Sequence, residues 1–184
     1  MGKDTQQKTT VLTHQPSIMR EFSTGGAVFK KAMSAGRQEK DEILWLVAKN
    51  TPSDLYPNEI WRLQKGWVDD RDGGKNPGPI SSGELKATES DLQTGAIREV
   101  REEGGVIAKI IKKIGTTKYL MNSTRGRVMK FVTFYLMEYI SQAPEGFCFE
   151  TSEVLWLPLA EAIQKVTHTN EKEILKMASK LLSG

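Results

Sequence analysis

The sequence is poor in sulfur and imidazole ligands. It has one cysteine, Cys148, and two histidines, His14 and His168. A single cysteine excludes an intramolecular disulfide framework and fits a reducing compartment. Three such side chains cannot complete a closed Cys/His zinc site, and they leave little material for a Ser-His-Asp or Cys-His relay. Any chemistry is therefore expected to rest on carboxylates, lysine, arginine and hard metal ions.

Long apolar runs and an excess of one sign of charge are also missing. Runs such as Leu44–Ala48 are far shorter than the roughly 20 residues that span a bilayer, and residues 1–23 lack the apolar segment of a signal peptide. The 26 basic and 23 acidic residues nearly cancel, so the net charge of +3 gives no global case for nucleic-acid binding. We expect a cytoplasmic protein.

Length and patterning predict one domain of 184 residues with a sizeable core. We expect residues 1–22 to form an N-terminal tail or arm and residues 23–184 to form the domain. Turn-forming residues cluster at about 67–88, which indicates a long exposed loop. Strands alternate with helices along the domain, so the expected class is α/β or α+β.

Local patterns place the elements of this domain. A helix is predicted over Ser90–Glu103, with Ser90 as N-cap, Gln93 completing a capping box and Gly104-Gly105 as the stop. Two further helices are predicted, from Pro158 to about Lys165 and from Asn170 to Leu182. The predicted strands are residues 23–29, 42–49, 106–114, 128–139 and 152–157.

The Ser90–Glu103 helix carries three carboxylates, Glu99, Glu102 and Glu103, on one face within about one turn. Like charges repel there, and the C-terminal end of a helix disfavours anions, so a compensating cation is expected. Mg²⁺ and Mn²⁺ favour such oxygen ligands. The alternative is a solvated acidic face with Arg98 and Arg101 as partners. Gly95, in mid-helix, would leave room for a ligand beside the carboxylates.

The segment Arg98–Val106 reads Arg-Glu-aliphatic-x-Glu-Glu-x-Gly-aliphatic, and this spacing resembles the core of the Nudix box. The resemblance extends over about residues 23–166 and identifies the chain as a member of the Nudix hydrolase family. It implies an α/β/α sandwich with a mixed β-sheet between helices. Outside the box the family pattern is similar to Ser23–Val28, Leu63–Gly66 and Ser152–Leu159.

The resemblance is less regular ahead of the helix. Gly66 follows Leu63-Gln64-Lys65, which is similar to the family's Leu-Pro-x-Gly lead-in, whereas Gly83 has the family's five-residue gap to Glu89. We prefer Gly66 as the box glycine, which makes residues 67 to about 88 an insertion, and Gly83 stays the alternative. Eight residues separate Glu89 from Arg98 where the family has seven, so Ser90 occupies the position of the first box glutamate.

The resemblance also implies roles for the acidic residues. Glu102 and Glu103 would hold Mg²⁺ or Mn²⁺, and Glu99 would be a further ligand or would orient the attacking water. The carbonyl of Gly66 could add a ligand, and Arg98 would hold the glutamates in place by pairing with Glu89. A late loop often supplies a further base or ligand in this family. Here the candidates are Glu150 and, as the alternative, Glu153.

A basic stretch supplies candidate phosphate contacts. Residues 109–130 contain seven Lys or Arg and no acid, and Arg125 and Arg127 flank a predicted hairpin turn. We expect Lys65, Arg125, Arg127 and Lys130 to bind substrate phosphates. The alternative is a set of solubilising lysines at a strand edge. An aromatic residue could stack on a base, the candidates being Trp61, Trp67, Tyr119 and Phe131, whereas the two histidines and Cys148 have no predicted role.

By this resemblance the chain is a divalent-metal-dependent pyrophosphohydrolase acting on a nucleoside diphosphate linked to another moiety. The basic stretch fits a phosphate-rich small molecule, such as a dinucleoside polyphosphate or a diphosphoinositol polyphosphate, and an RNA 5′ end stays open. The alternative is a non-catalytic Nudix-like module that binds nucleotide or RNA. No membrane partner is expected, and the chain is expected to be a monomer or a homodimer.

Overall fold

The computed structural model describes residues 18–32, 42–53, 57–123 and 125–183. Nine strands and three helices are found there. The strands are β1 Met19–Ala32, β2 Glu42–Asn50, β3 Trp61–Arg62, β4 Gln64–Trp67, β5 Asp70–Arg71, β6 Asn76–Pro77, β7 Val106–Ser123, β8 Gly126–Gln142 and β9 Thr151–Pro158. The helices are α1 Glu89–Gly104, α2 Leu159–Lys165 and α3 Thr169–Ser183. None of these helices is long and apolar enough to cross a membrane.

The main sheet is mixed and runs in the order β3-β2-β1-β8-β7, with β4 paired to β1 and β9 paired to β2. Only the β1–β8 pair is parallel among the described strands. Along its other edge β1 changes its antiparallel partner, from β4 at Ser23–Gly26 to β2 at Phe29–Ala32. This change lets β4 enter the sheet beside the start of β1.

Each face of the sheet carries its own hydrophobic core. Residues of α2 and α3 pack on one face with Trp45 and Phe134, whereas Ala96 and Val100 of α1 pack on the other with Val28 and Tyr135. A sheet that buries both faces needs helices on both sides. The predicted α/β/α sandwich with a mixed sheet is therefore confirmed.

Helix α1 begins earlier than predicted. Thr88 is the N-cap: its backbone is extended, its hydroxyl accepts the Asp91 N–H at 3.2 Å, and the Asp91 carboxylate accepts the Thr88 N–H at 2.8 Å. The prediction of Ser90 and Gln93 as the capping pair was wrong, because Ser90 already lies inside the helix. Gly105 ends α1 in a left-handed conformation (φ 63°), as the predicted glycine stop requires.

The segment predicted as a simple exposed loop at 67–88 contains the β5–β6 hairpin and is fastened to the sheet. The carboxylate of Asp69 accepts the N–H groups of Ile80 and Ser81 at 3.1 and 2.7 Å. Ser81 is fully buried, and its carbonyl accepts the Phe22 N–H at 2.8 Å. The insertion is therefore a folded extension beside β1.

Several boundaries differ from those predicted. β1 begins at Met19, so residues 19–22 of the predicted tail belong to the sheet, Ile18 precedes it, and residues 1–17 lie outside the described residues. β7 continues to Ser123 instead of ending near Ile114 and pairs with β8 along most of its length. The predicted hairpin turn lies between Ser123 and Gly126, which are paired across it.

Gln64 places an unpaired polar group inside the core. Its side chain is fully buried in β4, and neither amide atom has a hydrogen-bond partner among the described residues. We expect Gln64→Met to raise the free energy of unfolding by about 1–2 kcal/mol, because an unpaired buried amide costs this much. Urea unfolding measures the change, with Gln142→Met at the exposed end of β8 as control. A destabilised Gln64→Met would show that the amide is satisfied.

Candidate active site

Helix α1 packs very closely against the sheet. Ala96 and Val100 are fully buried against the sheet, whereas Ile97 is 44% exposed. A Cβ at Gly95 would lie 2.7 Å from Cγ2 of Thr24, so Gly95 makes room for strand β1 rather than for a ligand. The expectation that Gly95 opens space beside the carboxylates was wrong, since that space is filled by packing.

Glu99 lies in the tightest part of this contact. It is 6% exposed, and a Cβ at Gly66 would lie 2.3 Å from its Oε2. The helix carboxylate thus rests directly on the β4 backbone at Gly66, whereas Gly83 lies against Phe22. Burial, and then the charge of Glu103, raise the pKa of Glu99 to about 8, although Arg98 lies 2.8 Å away. The charge of Arg98, whose side chain is 34% exposed, lowers this pKa. It does not offset burial and the charges of the neighbouring carboxylates, which include Glu102 and Glu150.

Glu103 is held by the strand that leads into Gly66. It is 3% exposed, and its Oε1 accepts from Arg62 at 2.7 Å while its Oε2 accepts the Lys65 backbone N–H at 2.8 Å. Burial raises the pKa of Glu103, and the nearby Arg62 and Lys65 oppose that effect. Arg62 was missed by sequence reasoning, because only the pairing of β3 with β2 brings it to α1.

Arg98 joins the helix to β4. One terminal nitrogen lies 2.8 Å from Glu99 Oε1 and donates to the Trp67 carbonyl at 2.7 Å, and the other donates to Glu102 at 2.9 Å. The predicted partner Glu89 instead accepts from Lys113 at 2.7 Å and from the Tyr135 hydroxyl at 2.8 Å. The predicted Arg98–Glu89 pair was wrong, since nine residues of helix rise separate them by about 13 Å.

A cleft of about 860 Å³ adjoins these carboxylates. Lys65, Lys130 and Glu150, all predicted site residues, line it together with Arg62. The three box glutamates are not part of its lining. Glu103 is hydrogen-bonded to two residues that are, Arg62 and Lys65. The remaining wall comes mainly from β7, the segment before β9 and the start of α3: Tyr119, Leu120, Met121, Phe149, His168, Thr169, Asn170 and Glu171.

Lys130 is the cation of this cleft that no described carboxylate pairs with directly. Burial, and then the charge of Lys65, lower its pKa, and Glu21 and Glu99 act in the opposite direction. Arg62 and Lys65 are each paired with a buried carboxylate, Glu103 and Glu171. The Lys130 ammonium lies 6.0 Å from the centroid of the Trp67 ring, so an anionic group entering the cleft would find it uncommitted in the sense that no described carboxylate pairs with it.

The two hairpin arginines are not brought to the cleft. Arg125 pairs with buried Glu21 and lies 5.9 Å from the Trp67 ring, and Arg127 is exposed at the start of β8. Neither is among the described residues that line the cleft, although Tyr119–Met121, shortly before the hairpin turn, are. Within the basic stretch, Lys109 and Lys113 are also paired, with Glu138 and Glu89.

The candidate stacking residues divide in the same way. Tyr119 lines the cleft, whereas Phe131 stacks on Phe22 with ring centroids 5.3 Å apart. Trp61 lies under Lys165 at 4.4 Å, and Trp67 contacts Glu21 through its indole N–H at 3.0 Å. Phe149, which is 86% exposed at the cleft rim, was not predicted and has no pattern that marks it.

Among the described residues, no three carboxylate, imidazole or thiol groups converge closely enough to enclose a metal ion. The box glutamates are turned instead to Arg98, Arg62 and the β4 backbone. Glu150 is close enough for its charge to act on Glu99 and Glu103, whereas Glu153, the alternative, pairs with Lys49 at 3.2 Å. The arrangement thus concentrates negative charge at one end of α1 without bringing its members into a single coordination sphere.

The raised pKa of Glu99 predicts a pH dependence of stability in metal-free protein. Folded protein keeps a proton there between its ordinary pKa of 4.5 and about 8, which the unfolded chain has lost. The free energy of unfolding should therefore fall as pH rises through this window, by at most about 1.4 kcal/mol per pH unit for one proton. Urea unfolding in a chelator at pH 5 to 8 measures it, and Glu99→Gln should lack this component. An unchanged slope in Glu99→Gln would contradict the assignment.

Comparisons with known proteins identify the fold and the box. The NUDIX domain family model matches residues 63–177. A Mycobacterium tuberculosis protein named as a mutator protein, MutT4, is 30% identical over 103 residues, which are 56% of this chain and 41% of that protein. The chain thus spans about two fifths of the length of that curated relative.

Solved structures agree with the observed architecture. The Caenorhabditis elegans Ap4A hydrolase in a binary complex aligns with a TM-score of 0.57 and 20% identity, covering 89% of this chain and 98% of that one. The NUDIX domain of Shewanella oneidensis NrtR complexed with ADP ribose aligns with a TM-score of 0.57 and 16% identity, over 92% and 94% of the chains. The MutT protein from Methanosarcina mazei Go1 gives 0.59 at 15% identity, over 92% and 100%.

At these identities the structural likeness shows the fold alone, whereas the family model spans more than half of the chain and includes the acidic helix. The match begins at Leu63, immediately before the strand that carries Gly66, and runs through Arg98–Val106 into α3. The chain belongs to the Nudix family.

Proposed function

We propose that the chain is a divalent-metal-dependent hydrolase of a pyrophosphate bond in a nucleoside diphosphate linked to another moiety. One observation carries the proposal: buried Glu99 and Glu103 repel each other at the end of α1, beside a cleft that holds Lys65 and Lys130. Such a concentration of carboxylates is costly unless a cation offsets it. The cations that line this cleft favour an anionic substrate next to that metal.

Glu99, Glu102 and Glu103 would hold the ion, Mg²⁺ or Mn²⁺, with the Gly66 carbonyl as a further oxygen ligand. Their fit rests on donor type and charge: these are hard oxygen ligands, burial and then the charge of Glu103 raise the pKa of Glu99, and burial raises the pKa of Glu103. When bound, the ion supplies positive charge against the charge that develops on the diphosphate oxygens. Arg98 would then hold Glu99 and Glu102 in place, and Glu150 would act at the cleft as a base or further ligand.

The substrate side of the cleft suits phosphate groups more than a neutral ligand. Lys130 is uncommitted, Lys65 lies beside it, and Tyr119 and Phe149 offer aromatic surface in the same cleft. A dinucleoside polyphosphate or a diphosphoinositol polyphosphate would match several cations. The names of the worm structure, an Ap4A hydrolase, and of the bacterial domain bound to ADP ribose favour nucleotide-linked substrates.

A binding module without turnover is the competing function, and the ADP ribose complex of the NrtR domain is the observation that favours it. Against it stands the cost of retaining three neighbouring carboxylates with no chemical use for them. Turnover therefore separates the two functions.

The first test is phosphate release from a panel of nucleotide-linked diphosphates with Mg²⁺ or Mn²⁺. We expect Glu102→Gln to lower kcat by roughly 100-fold or more with KM within a few fold, because the charge acts on the transition state. Glu102 suits this test since its side chain is 49% exposed and its loss leaves the core intact. Wild-type protein that binds nucleotide without turnover would favour the binding module, and a fully active Glu102→Gln would place the metal elsewhere.

The second test separates Lys130 from the rest of the basic stretch. Lys130→Met should raise KM about tenfold, because it removes the uncommitted cation of the cleft. Arg127→Met, a matched change in the same strand, should leave KM within twofold since Arg127 lies outside the cleft lining. Steady-state kinetics at constant ionic strength compares them. Equal effects of the two changes would indicate general electrostatic attraction instead of a defined contact.

A further inference from the structure

Glu171 is a buried carboxylate on the first turn of α3, with no part in the chemistry described above. It is 1% exposed, and both of its oxygens are used. Oε2 accepts the Leu63 backbone N–H at 2.7 Å, and Oε1 lies 2.7 Å from the ammonium of Lys65. Leu63 stands between β3 and β4, so this bond supplies an acceptor at the interruption of the strand.

The segment from Arg62 to Lys65 is therefore held from both layers of the sandwich. On the α1 side, Glu103 accepts hydrogen bonds from the Arg62 guanidinium and the Lys65 backbone N–H. On the α3 side, Glu171 takes the Leu63 N–H and the Lys65 side chain. Lys65 is bound at its backbone by one carboxylate and at its ammonium by another.

Stability alone does not explain the buried ion pair between Glu171 and Lys65. A buried ion pair costs desolvation that its attraction often fails to repay, so it is weak evidence for a stabilising role. A lysine side chain is flexible, however, and fixing its ammonium removes the rotamer freedom that would otherwise be lost when a ligand binds. The Lys65 side chain is only 10% exposed, and the residue still lines the cleft with Lys130.

We propose that Glu171 is a positioning residue that holds the Lys65 ammonium in place to receive a phosphate group of the substrate. The proposal rests on the proposed function and adds a specific route by which α3 contributes to it. His168, Thr169 and Asn170 also line the cleft, so Glu171 connects this part of the cleft wall to the segment that carries Lys65.

The test is a double-mutant cycle of Glu171→Gln and Lys65→Met, read by calorimetric binding of a non-hydrolysable dinucleoside tetraphosphate analogue in Mg²⁺. The amide introduced by Glu171→Gln would still offer an oxygen to the Leu63 N–H but would lack the charge that holds Lys65. Glu171→Gln alone should raise Kd about 5- to 10-fold, and in the Lys65→Met background it should change Kd less than twofold. Glu173→Gln, which removes an exposed carboxylate paired with Lys176 on the same helix, is the matched control.

An equally large effect of Glu171→Gln in the Lys65→Met background would overturn the proposal, since Glu171 would then act without Lys65. If Glu171→Gln does not fold, Glu171→Asp replaces it in the same cycle, because it keeps the charge but withdraws it by one methylene. In turnover, the active variants should show a raised KM with kcat within about threefold, and a loss confined to kcat would contradict positioning of a binding group. Analogue binding is measured without turnover, so an inactive wild type would refute the pyrophosphohydrolase and leave this cycle readable.

Discussion

The close contact between α1 and strands β1 and β4 is the constraint on which the candidate site depends. Two glycines permit it, Gly95 on the helix and Gly66 on the strand, each leaving no room for a Cβ. At this distance the carboxylate of Glu99 rests on the strand backbone instead of reaching water, and its pKa rises. The raised pKa of Glu99 is therefore a consequence of the close packing between helix and sheet. Larger residues in place of Gly95 and Gly66 would hold the helix further from the sheet and expose the glutamates to water. Glu99 would then lose its raised pKa of about 8.

Patterns that depend on neighbours in the chain were predictable. The acidic face of α1 and its glycine stop follow from spacing over a few residues, whereas the fold class and the family follow from the order of strands and helices and from the resemblance to the Nudix family. Contacts that depend on sheet register were not. Arg62 meets Glu103 only because β3 pairs with β2, and Glu171 meets Lys65 only because the start of α3 lies beside the segment between β3 and β4. Arg125 shows the converse: although it lies in a basic run, it is paired with Glu21, a residue with no pattern to mark it.

Capping illustrates a closer contest between two local signals. Ser90 and Gln93 have the right residue types and spacing for a capping pair, and so do Thr88 and Asp91 two residues earlier. The earlier pair prevails where Glu89 is bound by Lys113 and the Tyr135 hydroxyl from the sheet, which fixes the first turn. Arg98 lies about 13 Å further along the helix, beyond the reach of Glu89, and contacts Glu99, Glu102 and the Trp67 carbonyl instead. The two ends of the helix are thus fixed by separate tertiary contacts, Glu89 with Lys113 and Tyr135 at one end and Arg98 with the Trp67 carbonyl at the other.

The bond between Leu63 and Glu171 spans 108 positions of the chain. Contacts at such separation form late, because a long loop must close before they reward it. During synthesis, the Nudix box and the strand before it would leave the ribosome well before α3. Until that helix docks, the interrupted strand lacks one of its two carboxylate supports, and Lys65 has no partner for its charge. The segment that leads into Gly66 would thus acquire its final geometry only in the last stage of folding.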